Sequence, residues 1–504
     1  MDLDPIYIAI ALAIWFLVGV IIAYKARRYL GKGMPEFFLA NRKLGGFISG
    51  MTYSATTFSA FMMVGLVGFS YKYGVVAAGF EMVYIIFTIL LLIIFAPRFW
   101  IAGKKYDIIT PPELLAKRYN SRWVGIVSSV ICLTMLIPYA SAQMMGIGIL
   151  LEGMTSGFLP TFEIFGITIS GLYLIGVLLV AGFSGISAFW AGMRSVSWTD
   201  AFQAIIMLSA SIILILFVFY HFFGSPSGFV TKITTEHSPL LEINWTLPRF
   251  IGLTLPWAFF ALTNPQVSQR MFVSDSVKSI KQMIIYFSIF ALIYTVITTL
   301  LGISIAGAGL LGAEAEADTA MPVLLGNVPV PLALIVFVSI FAAATSTLSS
   351  VTLTLSSLGS RDLVKKMKPS ISEKLEVYSG KIIIIVILLS CIVFANLRLD
   401  MIAVLSSMAS GGLLVMAPTI IGSFFWKRST TEGALSSMVI GGVITSSLYL
   451  AGEAYYPLGW WPSFWGLLIT VAIFISVSLL TEPPGGTEKF LNEVEEGVEE
   501  YGMV

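Results

Sequence analysis

The polar residues that could do chemistry in this chain are mostly hydroxyls, not histidines, cysteines or paired carboxylates. Between positions 342 and 354, seven of thirteen residues are Ser or Thr, set among Ala, Leu and Val. Ser346, Ser349 and Ser350 recur at i, i+3 and i+4, which puts three side chains on one helix face. Neutral oxygens of this kind suit a hard monovalent cation better than clustered carboxylates would. The competing use of such hydroxyls is local: each can bond the carbonyl four residues back, or let another helix approach closely. A second run, Ser49, Thr52, Ser54, Thr56, Thr57 and Ser59, is followed by Gly65 and Gly68. A third polar place joins Pro256 and Trp257 to Thr263, Asn264 and Pro265. Two carboxylates stand in apolar surroundings, Asp200 after Ser197 and Thr199, and Glu81 between Phe80 and Tyr84.

The elements that must carry these residues are membrane-spanning helices. Of 504 residues, 57% are apolar and 11% charged, against roughly 25% charged in a soluble domain. So few charges cannot cover a soluble surface of this size, whereas a bilayer is itself an apolar solvent. The net charge of +1 gives no basic face for nucleic acid. Cys132 and Cys391 lie far apart in apolar runs, and His221 and His237 have no ligand partners in sequence, so no disulfide framework, metal centre or enzyme constellation is expected.

A span needs about 20 mostly apolar residues. Thirteen are expected, near 5–24, 45–71, 75–97, 123–150, 166–183, 196–220, 249–264, 280–307, 328–356, 380–395, 401–425, 433–450 and 462–480. The segment 249–264 is short and carries Pro256. The first run is not a signal peptide, because Asp2 and Asp4 precede it and Lys25, Arg27 and Arg28 follow it. With the N-terminus outside and the C-terminus in the cytoplasm, 25 of the 29 Lys and Arg fall in inner segments. The expected location is the cell membrane. The acidic tail from 481 to 504 has Phe490, Leu491, Val494, Val498 and Tyr501 on one helical stripe, and reads as a solvated helix end.

Inside a membrane the polar residues carry the information. An intramembrane aspartate costs about 2.5–3.5 kcal/mol on insertion scales unless compensated. Asp200 sits close enough to the inner loop to be an interfacial carboxylate instead. Glu81 can meet a solute amine or hydroxyl, take up a proton, or sit in a wet vestibule. Spans 2–6 (about 45–220) and 7–11 (about 249–425) divide into two sets of five. Spans 2 and 7, the polar and interrupted ones, then open the two sets. Five is odd, so the sets would be inverted. Interrupted helices in matching places point to a midplane binding site; the alternative is that Gly and Pro serve packing.

These residues resemble the sodium/solute symporter family, whose members include sodium/proline and sodium/pantothenate symporters. The resemblance runs over the whole chain. It rests on the segment 192–203 leading into span 6, on Ser346, Thr347, Leu348 and Ser349 in span 9, and on residues 63–68 in span 2. It implies an all-α polytopic membrane protein with a LeuT-like 5+5 inverted repeat, working by alternating access. It implies a sodium ion held by backbone oxygens of Ala55, Phe58 and Ala343 with the hydroxyls of Ser346 and Thr347. A second sodium would use Asp200, Ser346, Ser349 and Ser350. The solute cavity would be lined by Ser59, Glu81, Tyr139, Gln143, Trp257 and Asn264. One departure is Thr57, where the proline symporter has an aspartate near sodium; another is the end of span 7, which lacks that symporter's Gln-Pro-His pattern. Both weaken any transfer of proline specificity.

The expectation is therefore a secondary transporter, with a monomer in the lipid bilayer as functional unit, carrying sodium with a small organic solute. An amino acid such as proline, or a carboxylate such as pantothenate, fits. No arginine or lysine falls mid-span, so a solute carboxylate would rest on backbone amides or helix ends. The alternatives are a proton-coupled symporter using Glu81 or Asp200, a passive channel, and a membrane sensor acting through a separate signalling partner.

Overall fold

The computed structural model describes residues 4–29, 31, 33–155, 159–164, 167–312 and 314–502. Asp2 and Lys32, which enter the orientation argument, lie outside the described residues. Among the described residues, eleven helices are long and apolar enough to cross a membrane: α1 (Pro5–Ala26), α4 (Val75–Tyr106), α5 (Arg122–Met154), α6 (Gly171–Phe189), α7 (Gly192–Phe223), α9 (Val277–Gly307), α10 (Val330–Met367), α11 (Glu373–Ala395), α12 (Ile402–Phe425), α13 (Thr431–Ala451) and α14 (Pro462–Leu480). The bent pair α2 (Gly46–Thr57) and α3 (Phe61–Tyr73) makes a twelfth. A short antiparallel hairpin, Thr161–Ile164 with Ile167–Ser170, lies between α5 and α6.

Helix ends follow local chemistry. Pro5 opens α1 with a preset φ, and Asp4 accepts the Ile6 N–H at 2.9 Å. Ser276, Ser372 and Thr430 start α9, α11 and α13, each accepting the backbone N–H three residues on.

The expected seventh span, 249–264, does not form one long helix. Its residues build α8 (Leu247–Ala258), which contains Pro256, and then the short pieces Phe260–Thr263 and Pro265–Ser268. Asn264 is extended (φ −89°, ψ 106°) because the proline after it disfavours the helical conformation. In the other broken helix, α2 stops at Phe58 (φ −96°, ψ 107°), and α3 leaves at 53° to it.

The broken pieces sit at the centre. The most apolar stretch of α12 is 89% buried and that of α10 is 78% buried, against 17% for α1 at the periphery. The α3 backbone is approached closely from two sides. A Cβ on Gly302 would meet the Val67 carbonyl at 2.3 Å, and one on Gly68 would meet the Ala317 carbonyl at 2.4 Å.

The tail corrects its expectation. α15 (Thr487–Glu500) is docked, with Phe490, Leu491, Val494 and Val498 buried. Phe490 stacks on Tyr106, Tyr501 meets the edge of Trp100, and Glu495 takes two hydrogen bonds from Arg98 at 3.1 Å. The ends of α4 and α12 offer Ile101, Tyr106 and Phe424 as an apolar seat that the one-dimensional pattern could not reveal.

Candidate functional site

The break in α2 and the hydroxyl face of α10 meet. Residue 58 leaves the helix, so carbonyls in the last turn of α2 lose their intrahelical donors. The Ala55 carbonyl accepts from Ser346 Oγ at 2.9 Å and from Thr347 Oγ1 at 3.2 Å. Ser346 Oγ also reaches the Ala343 carbonyl at 3.0 Å, and Thr347 Oγ1 the Thr56 carbonyl at 3.3 Å. Phe58 stands at the break, its ring packed against Phe287 and Phe290. All five candidate sodium residues are at most 1% exposed. Hydroxyls that now donate to these carbonyls present lone pairs to a cation when they turn, so this neutral oxygen set fits sodium.

The second set has a different geometry. Asp200 Oδ2 accepts from Thr52 Oγ1 at 2.7 Å and lies 3.5 Å from Arg270 Nη2. The same guanidinium reaches Ser350 Oγ at 2.5 Å, the Gln266 carbonyl at 2.6 Å and Thr52 Oγ1 at 3.3 Å. Ser349 turns back to the Thr345 carbonyl at 2.6 Å. Arg270 is fully buried, so a basic side chain does reach the protein interior beside Asp200. The sequence expectation places 265–281 in an inner loop, between the spans 249–264 and 280–307; its first part, 265–272, differs. It is instead buried helical turns carrying Val267, Met271 and Phe272 inward. The apolar residues following Pro265 were the available signal.

The six candidate solute residues, Ser59, Glu81, Tyr139, Gln143, Trp257 and Asn264, are each at most 1% exposed. Gln143 Oε1 accepts the Ala60 N–H at 3.1 Å, and Ser59 Oγ accepts the Phe61 N–H at 3.2 Å, so side chains satisfy the start of α3. Trp257 stacks on Phe61 and Phe260 and donates Nε1–H to Ser407 Oγ at 2.8 Å. Among the described residues, both Glu81 oxygens and Asn264 Nδ2 have no hydrogen-bond partner. Ser407 was not expected as a participant, and Thr52 and Tyr84 were noted only as part of the hydroxyl run and as a neighbour of Glu81. Only the tertiary contacts bring them in.

The profile of the family described as "Sodium:solute symporter family" matches residues 37–441. A sodium/pantothenate symporter of Haemophilus influenzae is 27% identical, over 84% of this chain and 86% of its own length. A high-affinity proline transporter of Bacillus subtilis is 26% identical, over 90% of this chain and 93% of its own. Among solved structures, a substrate-bound, outward-open sodium-coupled sialic acid symporter superimposes with a TM-score of 0.76 at 19% identity, covering 95% of this chain and 98% of that one. A nucleobase-cation-symport transporter in a closed conformation gives 0.57 at 14% identity, over 91% of this chain and 98% of that one.

Proposed function

This chain belongs to the sodium:solute symporter family, and on that premise we propose that it moves a small organic solute across the cell membrane together with sodium. The observation that carries the reading is the joint between Ala55 and the Ser346 and Thr347 hydroxyls. Sodium would be held there by the backbone oxygens of Ala55, Phe58 and Ala343 and the two hydroxyls. Ser59 and Ala60 follow the same break and border the solute residues Glu81, Tyr139, Gln143, Trp257 and Asn264. An ion that fixes the end of α2 against α10 therefore also fixes one wall of the solute site. Each ligand then raises the other's affinity by the same factor. The membrane potential adds about 2.3 kcal/mol per charge per 100 mV to the driving force.

Asp200, Ser346, Ser349 and Ser350 form a second candidate sodium position. In this arrangement Arg270 already sits on Asp200 and Ser350. Loading that position requires the guanidinium to move, so Arg270 competes with the ion. The interrupted segment 247–268 is read as the remaining crossing, giving thirteen with the N-terminus outside and the C-terminus in the cytoplasm. It pairs with the α2–α3 break as the opening member of the second five-helix set, about 249–425, inverted with respect to the first, about 45–220. A monomer in the bilayer is the functional unit, and the solutes best fitting the reading are an amino acid such as proline or a carboxylate such as pantothenate.

The test is uptake into proteoliposomes of labelled proline, pantothenate, acetate and sugars under an inward sodium gradient, with potassium and pH gradients in parallel. Sodium-driven accumulation of one solute, lost in Ser346→Ala and Thr347→Ala, supports the reading. Accumulation driven by the pH gradient alone would replace it with proton coupling through Glu81 or Asp200.

A further inference from the structure

The turn that starts α15 brings positive charges together. A cleft of about 600 Å³ lies there, lined by Lys427 and Arg428 from the turn between α12 and α13 and by Thr487, Glu488 and Lys489 of the tail. Arg118, only 2% exposed, backs the cleft and donates to Thr487 Oγ1 at 2.9 Å. Its other donors reach the Ser423 and Trp426 carbonyls and Ser429 Oγ, all neutral. Among the described residues, none of Arg118, Lys427, Arg428 and Lys489 enters an ion pair. Lys489 feels the charge of Glu493 one turn on, but Lys105 already meets that carboxylate at 3.6 Å. Glu432 and Glu482 are exposed and outside the lining. Four cations thus stand against one lining carboxylate, Glu488. Farther along α15 the charges are matched, Glu493 by Lys105 and Glu495 by Arg98.

Like charges held close together repel, and a buried guanidinium without a counter-charge is costly. An anion in the cleft relieves both. The apolar surroundings decide which anion fits. Arg428 donates to the Leu479 carbonyl at 3.1 Å, in the last turn of α14. That contact fixes the basic group where a crossing helix ends, at the level of lipid headgroups. Leu479 and Leu480 are 57% and 85% exposed there, a bare apolar edge beside the cations. A free inorganic anion would use the charge and leave that edge uncovered, whereas an anionic amphiphile uses both. We propose that an anionic phospholipid of the adjoining leaflet seats its phosphate on Lys427, Arg428 and Lys489, with a chain along Leu479 and Leu480. Its phosphate takes charge-assisted hydrogen bonds from both sides of the cleft. The lipid thereby joins the α12–α13 turn to the start of α15 and holds the tail on its seat.

The experiment places the purified full chain in lipid nanodiscs of phosphatidylcholine, with or without phosphatidylglycerol, and follows proteinase K cleavage near Pro483 together with thermal stability. Phosphatidylglycerol should slow cleavage by about tenfold or more. Lys427→Gln with Lys489→Gln should abolish most of that protection. Both side chains are exposed, so this double variant should keep the parent's thermal midpoint in phosphatidylcholine alone, which shows that it is folded. Lys489→Gln by itself is the milder variant, and should lose part of the protection. Lys278→Gln with Lys368→Gln, an equal loss of charge at exposed lysines outside the cleft, should keep it. Equal loss in the two double variants overturns the inference in favour of a diffuse basic surface. Absence of protection by phosphatidylglycerol in the parent also overturns it. Inorganic phosphate or glycerol phosphate protecting the tail as well in phosphatidylcholine alone would mean that a free anion fills the cleft, and would overturn the lipid too.

Discussion

Ser346 Oγ and the Ala55 carbonyl lie 2.9 Å apart across 291 residues of sequence, and this contact ties the hydroxyl face of one buried helix to the broken end of another. The two groups need each other here, because a buried carbonyl without a donor is costly. They are also the groups a sodium ion would share. The contact is thus both a structural joint and the proposed ion position.

Removing these hydroxyls should therefore separate folding from ion binding. Each of Ser346→Ala and Thr347→Ala is expected to cost about 0.5–1.5 kcal/mol of stability. The sodium concentration for half-maximal uptake should rise by about tenfold or more, since a cation ligand is lost. Uptake against sodium concentration, alongside a denaturation curve, checks both numbers.

Breaking the Asp200–Arg270 pair should be far more costly than removing both partners. Arg270→Ala or Asp200→Ala leaves one buried charge and is expected to destabilise by about 3–5 kcal/mol. The double variant Asp200→Asn with Arg270→Gln should recover much of that loss. If Arg270 competes with a second sodium ion, Arg270→Gln should steepen the sodium dependence of uptake, and flux ratios would read the change.

Trp257 has a stacking role and a donor role that two variants distinguish. Trp257→Phe keeps a ring against Phe61 and Phe260 but loses the bond to Ser407, at about 0.5–1.5 kcal/mol. Ser407 retains its own bond to the Ala403 carbonyl at 2.9 Å. Trp257→Ala opens the core and should cost about 3–5 kcal/mol and abolish saturable solute uptake. Thermal stability and uptake kinetics test the pair.

Asp318, in the turn before α10, accepts the Ile402 N–H at 2.9 Å at the start of α12. Burial first, and then the negative charges of Glu316 and Asp400, push its carboxyl up to about 7 against that hydrogen bond. A carboxyl that holds its proton more tightly folded than unfolded favours the folded state at low pH. This contribution is lost as pH rises from about 4 to 7. Stability measured from pH 5 to pH 8 should fall with that slope, and Asp318→Asn should flatten it.

The docked tail should be a structural part of the fold. Phe490→Ala is expected to cost about 3–5 kcal/mol if α15 remains seated, or a smaller amount with release of the helix. Glu495→Ala should cost under about 1 kcal/mol, because the Glu495 end of its pair with Arg98 is half exposed. Protease sensitivity near Pro483 reads out the release.

The sequence by itself determined most of what depends on a local run. Apolar stretches locate eleven crossings as helices, and the polar, glycine-rich start of α2 and the prolines at 256 and 265 mark the two breaks. The spacing of Ser346, Ser349 and Ser350 was legible because a helix period is short-range, as was the stripe on the tail. The tertiary structure alone decided which groups meet. Ser346 and Ser349 share a helix face, yet one bonds the Ala55 carbonyl and the other turns to its own helix. Arg270 looked like a loop residue and is the buried partner of Asp200, seventy positions away. The tail looked solvated and found an apolar seat on α4 and α12. Glu81 was visible as a charge in an apolar run, but that its oxygens have no hydrogen-bond partner among the described residues is a property of everything packed around it. Hydropathy reports what a residue costs in lipid. Whether that cost is met by a distant arginine, a carbonyl or a ligand depends on contacts between segments far apart in the chain.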